Sequence, residues 1–306
     1  MAAETRFIDA LRGLATHPGA RGLIDDAAVL DIGGTRLVLT HDMLVESVHF
    51  LASDPPESVA WKLLAVNLSD LAAKGAKPLG ALMAYALTGD PDWDDRFVQG
   101  LGTALSHFGV ALLGGDTVSA SQRSLGLTLV GEATGNVPAR SGAASGDALF
   151  VTGTIGDAGP GLQMARGELP EDPALLRAYQ YPVPQLSAGY ALCGSVTAMM
   201  DVSDGLLIDA ARLANASGCA VMLDLDAVPL SEAFQRAKGA DRAARLFAAT
   251  AGDDYQLLFT SSLPLPPVDC SVTRIGQMVP GNGIHLHDRD GGVPLPARLG
   301  WLHGLP

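Results

Sequence analysis

Cysteine is scarce in this 306-residue sequence, and the three that occur form no recognisable framework. They are Cys193, Cys219 and Cys270, which lie far apart, and none belongs to a C-x-x-C pair. An odd number of scattered cysteines is typical of reduced thiols, so we expect no disulfide scaffold and a cytoplasmic location. Because neither the cysteines nor the histidines show the spacing of zinc ligands, we expect no zinc site.

The sequence also has no long hydrophobic run. Although 48% of its residues are hydrophobic, no uninterrupted apolar segment approaches the roughly 18–20 residues that span a bilayer. Residues 1–15 carry scattered charges and lack the apolar core of a secretory signal. We therefore expect no membrane partner. A chain of this length is expected to fold as two domains, each with its own core.

Positively charged residues are also few in this sequence. There are 20 Lys and Arg residues against 33 Asp and Glu, which gives a net charge of −13 and a pI of about 4.8. Without a basic cluster, nucleic acid and anionic membranes are not expected partners. The acidic residues occur as short clusters beside Gly, Ser or Thr, directly after apolar runs. This distribution indicates an internal acidic site rather than an evenly charged surface.

Two common nucleotide-binding motifs are absent, because the chain contains neither G-x-x-x-x-G-K-[ST] nor G-x-G-x-x-G. Phosphate groups would then be bound by metal ions, backbone N–H groups and isolated arginines. Residues 151–165 form a strand that enters a Gly-rich turn before a helix, which would suit an anion; a plain strand–helix connection is the alternative. Arg140, in a segment of small residues, is a candidate phosphate ligand, and an ordinary surface arginine is the alternative.

Apolar segments of strand length alternate with amphipathic segments, which is typical of an α/β or α+β fold. The predicted strands are residues 27–32, 37–40, 79–87, 111–114, 125–133, 148–152, 220–225 and 255–260. The predicted helices are residues 7–14, 58–73, 94–108, 161–165, 185–192 and 206–216. A turn-rich segment, residues 133–147, is expected to separate an N-terminal domain (1–137) from a C-terminal domain (138–306). Residues 261–269 and 279–296 are predicted to be loops.

Six acidic positions share one local pattern, and all but one lie at the end or start of a predicted strand. They are Asp25-Asp26, Thr40-His41-Asp42, Asp70, Gly114-Gly115-Asp116, Asp201–Asp204 and Asp253-Asp254. Taken singly, most have a structural alternative such as a turn or a helix cap. Taken together, carboxylates with neighbouring hydroxyls and carbonyls suit a hard cation, above all Mg²⁺.

Two of these positions carry the strongest argument for a cation. Asp201 and Asp204 lie at the junction between a strand and a helix, so their mutual repulsion would be relieved by a cation between them. Asp70 lies on a helix that is apolar almost all round and shares one stripe with Asn67 and Lys74. An exposed ion pair with Lys74 is the alternative. A buried carboxylate needs a stronger partner, so we predict that Asp70 faces a metal.

The sequence resembles the thiamine-monophosphate kinase family in the order and spacing of eight motifs that span essentially the whole chain. The motifs are DDAAVL, THDMLVESVHF, AVNLSDLAAKGAKP, LLGGDT, RSGAASGD, VTGTIGDAGPGL, DVSDGLLIDAARLANASG and AGDDYQLLFT. The resemblance implies an α/β (α+β-like) fold with the two-domain architecture of aminoimidazole ribonucleotide synthetase. The N-terminal sheet domain would pair across a homodimer, beside a C-terminal α/β domain. It also implies ATP-dependent phosphorylation of thiamine phosphate to thiamine diphosphate with several Mg²⁺ ions.

The resemblance also implies roles for individual residues. The metal ligands would be Asp26, Thr40, His41 (through its backbone), Asp42, Asp70, Asp116, Asp201 and Asp204. ATP would contact Gly115, Asp116, Arg140 and Ser203, and thiamine phosphate would contact His49, Asp253 and Trp301. Asp42, Asp70 and Asp204 are the expected catalytic residues. Because the acceptor is already an anionic phosphate oxygen, no general base is required, and we expect direct in-line transfer.

The chain departs from the family pattern at several of these positions. Ile24 replaces the usual Gly, His41 replaces a Thr or Ser, and Asp253 replaces a Glu. The ending Trp301-Leu302-His303-Gly304 also differs from the usual aromatic-x-His-Phe. The alternatives are another ATP-using enzyme of the same superfamily or a non-catalytic nucleotide-binding relative. A selenophosphate synthetase is disfavoured because such enzymes normally carry a reactive residue near the N-terminus, whereas the first cysteine here is Cys193.

Overall fold

The computed structural model describes residues 3–302 as two α/β domains, each built on its own sheet. The helices are α1 (Ala3–Arg12), α2 (Pro56–Ala73), α3 (Pro91–Phe108), α4 (Ala158–Ala165), α5 (Pro173–Gln180), α6 (Leu186–Leu192), α7 (Leu206–Ala216), α8 (Glu232–Lys238) and α9 (Arg242–Ala251). Short 3₁₀ helices occupy Pro18–Leu23 and Leu225–Ala227. Within residues 3–302, no helix combines the length and apolarity needed to cross a membrane. His303 and Gly304, and the outer limits of the two predicted domains, lie outside the described residues.

The strands divide between the two sheets in chain order. They are β1 (Ala28–Ile32), β2 (Thr35–Val45), β3 (Lys77–Leu87), β4 (Ala111–Ser119), β5 (Ser124–Ala133), β6 (Ala148–Thr152), β7 (Ala198–Val202), β8 (Ala220–Asp224), β9 (Gln256–Ser261), β10 (Val272–Val279), β11 (Gly283–Asp288) and β12 (Gly291–Val293). The N-terminal sheet has the order β1-β2-β5-β3-β4, and the C-terminal sheet has the order β12-β11-β8-β10-β6-β9-β7.

Strand β2 is longer than predicted, and this changes where its acidic residue lies. It pairs antiparallel with β5 from Arg36↔Ala133 to Val45↔Ser124, whereas the sequence predicted its end at residue 40. Thr40 and Asp42 are therefore inside the strand rather than beyond it. Because side chains alternate between the two faces of a strand, they share one face and His41 lies on the other.

Helix α2 is the central element of the molecule. It begins at the Pro55-Pro56 pair, where a proline is tolerated in the first turn, and it ends before Gly75, whose φ of 60° is left-handed. Sixteen of its eighteen residues are buried, because it packs against the N-terminal sheet and also against α6, β7 and β9 of the C-terminal domain. The prediction of a buried, largely apolar helix is confirmed.

The C-terminal sheet contains strands that the sequence did not predict. Residues 279–296 were expected to form a loop, and this prediction is wrong: β11 pairs parallel with β8 and antiparallel with β12. Ile284 and Leu286 are buried on one face of β11 while His285 is exposed, so the period of two is present. The alternation is short, and the Gly, Pro, Asn and Asp residues on either side of it favour a loop prediction. Helices α5, α8 and α9 and strand β10 were also not predicted.

Candidate active site between the two domains

A cleft of about 830 Å³ lies where the two domains meet, and most of the predicted acidic residues line it. The N-terminal domain supplies Asp25, Asp26, Asp42 and Asp70, and the C-terminal domain supplies Asp201, Ser203 and Asp204. Arg140 enters the cleft from the segment that connects the two sheets. Residues more than one hundred positions apart in the sequence are therefore brought to one site.

Three carboxylates form the centre of the site. Oxygen atoms of Asp26, Asp70 and Asp201 all lie within 4.8 Å of one another. Burial raises the pKa of Asp70 well above its usual value, and repulsion from Asp42 and Asp201 adds to this. Burial, followed by repulsion from Asp26, likewise raises the pKa of Asp201. A donor set of crowded, buried carboxylate oxygens fits a hard divalent cation, which would neutralise them.

Neighbouring polar groups fix the orientation of these carboxylates. The hydroxyl of Thr40 donates a hydrogen bond to Asp70, and the hydroxyl of Ser69 donates to Asp201 Oδ2 at 2.7 Å. Burial raises the pKa of Asp42 to about 6; His41 acts to lower this pKa, and Asp26 and Asp204 act to raise it. Asp42 itself is positioned through its backbone, whose N–H donates to the side-chain oxygen of Asn67 at 2.9 Å.

Asp26 differs from the other two carboxylates because cations already contact it. Lys74, which is fully buried, lies 2.7 Å from Asp26 Oδ2 and also contacts Asp25. The guanidinium of Arg140 donates to the other oxygen of Asp26. Burial works against the charged form, yet these two cations lower the pKa of Asp26 to about 2. Lys74 therefore pairs with Asp25 and Asp26, and Asp70 is left facing the cleft.

The turn that carries Ser203 and Asp204 is organised by Asp209, a residue that the sequence analysis missed. Its Oδ2 accepts hydrogen bonds from the N–H groups of residues 203, 204 and 205 at 3.1, 3.1 and 3.3 Å. Arg212 contacts Asp209 Oδ1 at 2.8 Å and also binds Asp204. Burial raises the pKa of Asp209 to about 6, although Arg212 opposes this. An acidic residue in the first turn of α7 was ambiguous, because such residues also stabilise helix dipoles.

Of the three residues predicted to contact thiamine phosphate, His49 and Asp253 form a second group around Lys62. His49 accepts a hydrogen bond at Nδ1 from the N–H of Val45 at 3.0 Å, and its carbonyl accepts one from Lys62 at 3.2 Å. The Lys62 ammonium also lies 2.7 Å from Asp253. Lys62 was not predicted, although a lysine on an almost wholly apolar helix was a usable signal. Trp301 is half-exposed, and its backbone N–H donates to the Asp204 carbonyl at 2.9 Å.

Three predicted site residues point elsewhere within a single chain. The ring of His41 lies on the opposite face of the N-terminal sheet, 2.9 Å from the hydroxyl of Thr128, so its side chain is directed away from the cleft. Gly115 and Asp116 are on the exposed edge strand β4. The register places Asp116 beside Ala84, three strands and about 14 Å from β2. Neither residue lines the acidic cleft.

The Gly-rich turn of residues 151–165 also lies outside this cleft. It borders a separate cavity of about 210 Å³ together with Asp253 and Asp254. The backbone N–H of Gly156 donates to Asp254 Oδ1 at 2.6 Å. A carboxyl group of the chain itself therefore occupies a backbone donor that the sequence predicts to bind phosphate.

Comparison with known proteins gives consistent matches along the chain. Residues 24–137 match the model of the AIR synthase related protein, N-terminal domain, and residues 144–262 match that of the C-terminal domain. A thiamine-monophosphate kinase of Caulobacter vibrioides is 40% identical over 304 residues, which cover 94% of this chain and 86% of that protein. A thiamine-monophosphate kinase of Aquifex aeolicus is 33% identical, covering 91% of this chain and 92% of the relative.

Solved structures resemble the whole chain as well. A structure of AaThiL complexed with AMPPCP and TMP superimposes with a TM-score of 0.87 at 31% identity, covering 97% of this chain and 96% of the other. The crystal structure of thiamine monophosphate kinase from Aquifex aeolicus has a TM-score of 0.82 at 30% identity, covering 94% and 96% of the two chains. The similarity therefore extends over both domains and over the cleft between them.

Proposed function

We propose that this chain, which belongs to the thiamine-monophosphate kinase family, transfers a phosphoryl group from ATP to thiamine phosphate and forms thiamine diphosphate. It is a phosphotransferase with the two-domain fold of the AIR synthase related proteins. The observation that carries the proposal is the convergence of Asp26, Asp70 and Asp201, whose oxygen atoms lie within 4.8 Å of one another at the cleft between the domains.

We propose Mg²⁺ as the cation of this site. The ligands in the cleft would be Asp26, Thr40, His41 (backbone), Asp42, Asp70, Asp201 and Asp204. Asp116, which does not line the cleft of a single chain, is proposed as a ligand only where two chains pair. Crowded carboxylates beside hydroxyl groups are the oxygen donors that Mg²⁺ prefers. When bound, the ions would neutralise the phosphoryl oxygens of both substrates and allow two anions to approach each other.

The residues of the chain supply position and charge rather than a general base. Asp42, Asp70 and Asp204 are the proposed catalytic residues, because they face the cleft where donor and acceptor phosphates would meet. Arg140 is proposed to contact ATP: its Nε is a buried donor for which no partner is found among residues 3–302. Ser203 lines the same cleft, on the turn held by Asp209. An acceptor that is already ionised supports direct in-line transfer.

We further propose that two copies of the chain pair through their N-terminal sheets. Leu82 on β3 and Leu112, Leu113 and Val118 on the edge strand β4 are exposed large apolar residues. An exposed apolar strand at a sheet edge is normally covered. Pairing there would also bury the strand that carries Gly115 and Asp116, the two proposed nucleotide-site residues that do not line the cleft of a single chain.

Two further proposals concern organisation and location. The boundary between residues 137 and 138 is supported by the two family matches, which end at 137 and resume at 144. A cytoplasmic location is supported by the free thiols of Cys193, Cys219 and Cys270.

The direct test is to incubate the protein with Mg²⁺, ATP and thiamine phosphate and to measure thiamine diphosphate and ADP. We expect the two products in equal amounts, and we expect Asp42→Asn and Asp204→Asn to lower kcat by about 100-fold or more. Asp226→Asn is the control, because Asp226 pairs with Arg289 away from the cleft. ADP without thiamine diphosphate, or cleft variants as active as the control, would contradict the proposal.

A further inference from the structure

Lys62 on α2 is a buried cation whose two hydrogen-bond partners, Asp253 and His49, belong to the second group of site residues. Its side chain is 3% exposed, and its ammonium lies 2.7 Å from Asp253 Oδ2. It also donates to the carbonyl of His49 at 3.2 Å and lies 4.5 Å from the centre of the Tyr179 ring. A buried ammonium is tolerated only with such partners, so Lys62 is held in place next to Asp253.

Asp253 is held from both sides and still faces solvent. Lys62 occupies Oδ2, and the hydroxyl of Tyr255 donates to Oδ1 at 2.9 Å. The Asp253 side chain is nevertheless 35% exposed. Because a carboxylate can accept about four hydrogen bonds, acceptor capacity remains in a fixed orientation toward an incoming molecule.

The backbone of this segment is also constrained. Asp253 and Tyr255 have left-handed φ values of 61° and 51°, which non-glycine residues keep only where their surroundings impose them. The N–H of Asp253 donates to the Ser203 carbonyl at 2.8 Å, and that of Tyr255 donates to the Val202 carbonyl at 2.7 Å. The Asp253 carboxylate is therefore fixed relative to the turn that carries Ser203 and Asp204.

The charge of Asp253 decides which end of the substrate it can contact. Thiamine phosphate carries an anionic phosphate at one end and a cationic thiazolium with an aminopyrimidine at the other. A carboxylate repels the first and attracts the second. We propose that Lys62 is a positioning residue that fixes Asp253 to receive the heterocyclic, cationic end of thiamine phosphate. The inference rests on the proposed function. It adds Lys62 to the site and gives the orientation in which thiamine phosphate binds.

The proposal is tested with a double-mutant cycle of Lys62→Met and Asp253→Asn. Binding of thiamine phosphate is measured by calorimetry in the presence of Mg²⁺ and AMPPCP, and KM values are measured for both substrates. Each single variant is expected to weaken thiamine phosphate binding about tenfold or more, with the KM for ATP changed by less than about twofold. The double variant is expected to match Asp253→Asn, because Lys62 acts through that residue. Additive effects, or an equal loss for ATP, would overturn the proposal.

A matched control and a second ligand pair sharpen the test. Lys77→Met also removes a lysine that lies over a tyrosine ring, 4.8 Å from the centre of Tyr190, and it is expected to leave binding unchanged. Thiamine and inorganic phosphate are then compared as inhibitors. Lys62→Met should raise the inhibition constant of thiamine by about the same factor as that of the substrate and leave that of phosphate unchanged. A rise for phosphate alone would overturn the assignment to the heterocyclic end.

A milder variant covers the case in which Lys62→Met does not fold. Tyr255→Phe removes only the second hydrogen bond to Asp253, and it should weaken thiamine phosphate binding roughly three- to tenfold. No change in this variant would overturn the proposal. If the unaltered protein does not phosphorylate thiamine phosphate, the proposed function fails; if it does and these variants bind normally, the present inference fails by itself.

Discussion

At the scale of single residues, charge in the cleft is balanced unevenly. Asp26 is paired with Lys74 and Arg140, whereas Asp70 and Asp201 accept hydrogen bonds from hydroxyl groups. Burial and repulsion from neighbouring carboxylates raise the pKa of Asp70 and Asp201, and the hydroxyl hydrogen bonds oppose this only in part. The cleft has its greatest excess of negative charge where the proposed Mg²⁺ ions would bind.

Asp209 gives a prediction at this scale. Asp209→Asn keeps the size of the side chain but removes the charge that pairs with Arg212 and receives three backbone N–H groups. The turn that carries Asp204 should loosen, since hydrogen bonds to charged groups stabilise by about 1.5–3 kcal/mol. We expect kcat to fall about tenfold and the Mg²⁺ concentration for half-maximal activity to rise.

The control for this variant is Asp241→Asn. Asp241 caps α9 through the N–H of Ala244 at 2.8 Å and does not line the cleft. Both variants should remain folded by circular dichroism. If Asp209→Asn has the same Mg²⁺ dependence as Asp241→Asn, the positioning role of Asp209 is wrong.

Single residues differed in how well the sequence could predict their place. Asp26, Asp42, Asp70, Asp201 and Asp204 were identifiable because each lies in a cluster or on a buried helix. Lys62 and Asp209 were not, because their role depends on contacts across 191 positions for Lys62 and on a turn geometry for Asp209. Local sequence patterns do not encode such contacts, so the polar groups that orient the site could not be predicted from the sequence.

At the scale of elements, α2 links both halves of the site. Asn67, Asp70 and Lys74 lie along one stripe of this helix and reach Asp42, Thr40 and Asp26 respectively. The helix was predictable because a long apolar segment with few breakers has one interpretation. Short elements were not: α8 has seven residues and begins at the Ser231 cap, and its apolar positions are too few to establish a period.

The edge strand β4 gives the prediction at this scale. Leu113→Glu places a charge at a residue that is 62% exposed in one chain, in the middle of the proposed contact between two sheets. We expect the unaltered protein to sediment as a dimer and the variant as a monomer, because a charge buried at an interface is costly.

Leu263→Glu provides the comparison for β4. Leu263 is 60% exposed but lies after β9 in the C-terminal domain, so its substitution should leave the dimer intact. Equal sedimentation of all three proteins, as monomers or as dimers, would contradict a contact through β4.

At the scale of the whole molecule, two sheets of different topology meet along α2 and enclose one acidic cleft. The N-terminal domain supplies Asp26 and Asp70, and the C-terminal domain supplies Asp201. Neither domain holds the three carboxylates alone. This shared arrangement is the proposed cation site, whose carboxylates raise one another's electrostatic energy until a cation binds.

Thermal unfolding of Asp70→Asn with and without Mg²⁺ shows whether these carboxylates bind a cation. Burial raises the pKa of Asp70 in the folded protein. The folded protein therefore loses stability as the pH rises from the pKa of the unfolded state toward that of the folded state. Without a cation, the ionised form of Asp70 is unfavourable. Asparagine removes that charge and can still accept the hydrogen bond from Thr40. Without Mg²⁺, we therefore predict that the Tm of the variant exceeds that of the unaltered protein by about 2 °C or more. Added Mg²⁺ should raise the Tm of the unaltered protein and have much less effect on the variant. A lower Tm for the variant without Mg²⁺, together with an equal response to the ion, would mean that Asp70 does not belong to a cation site.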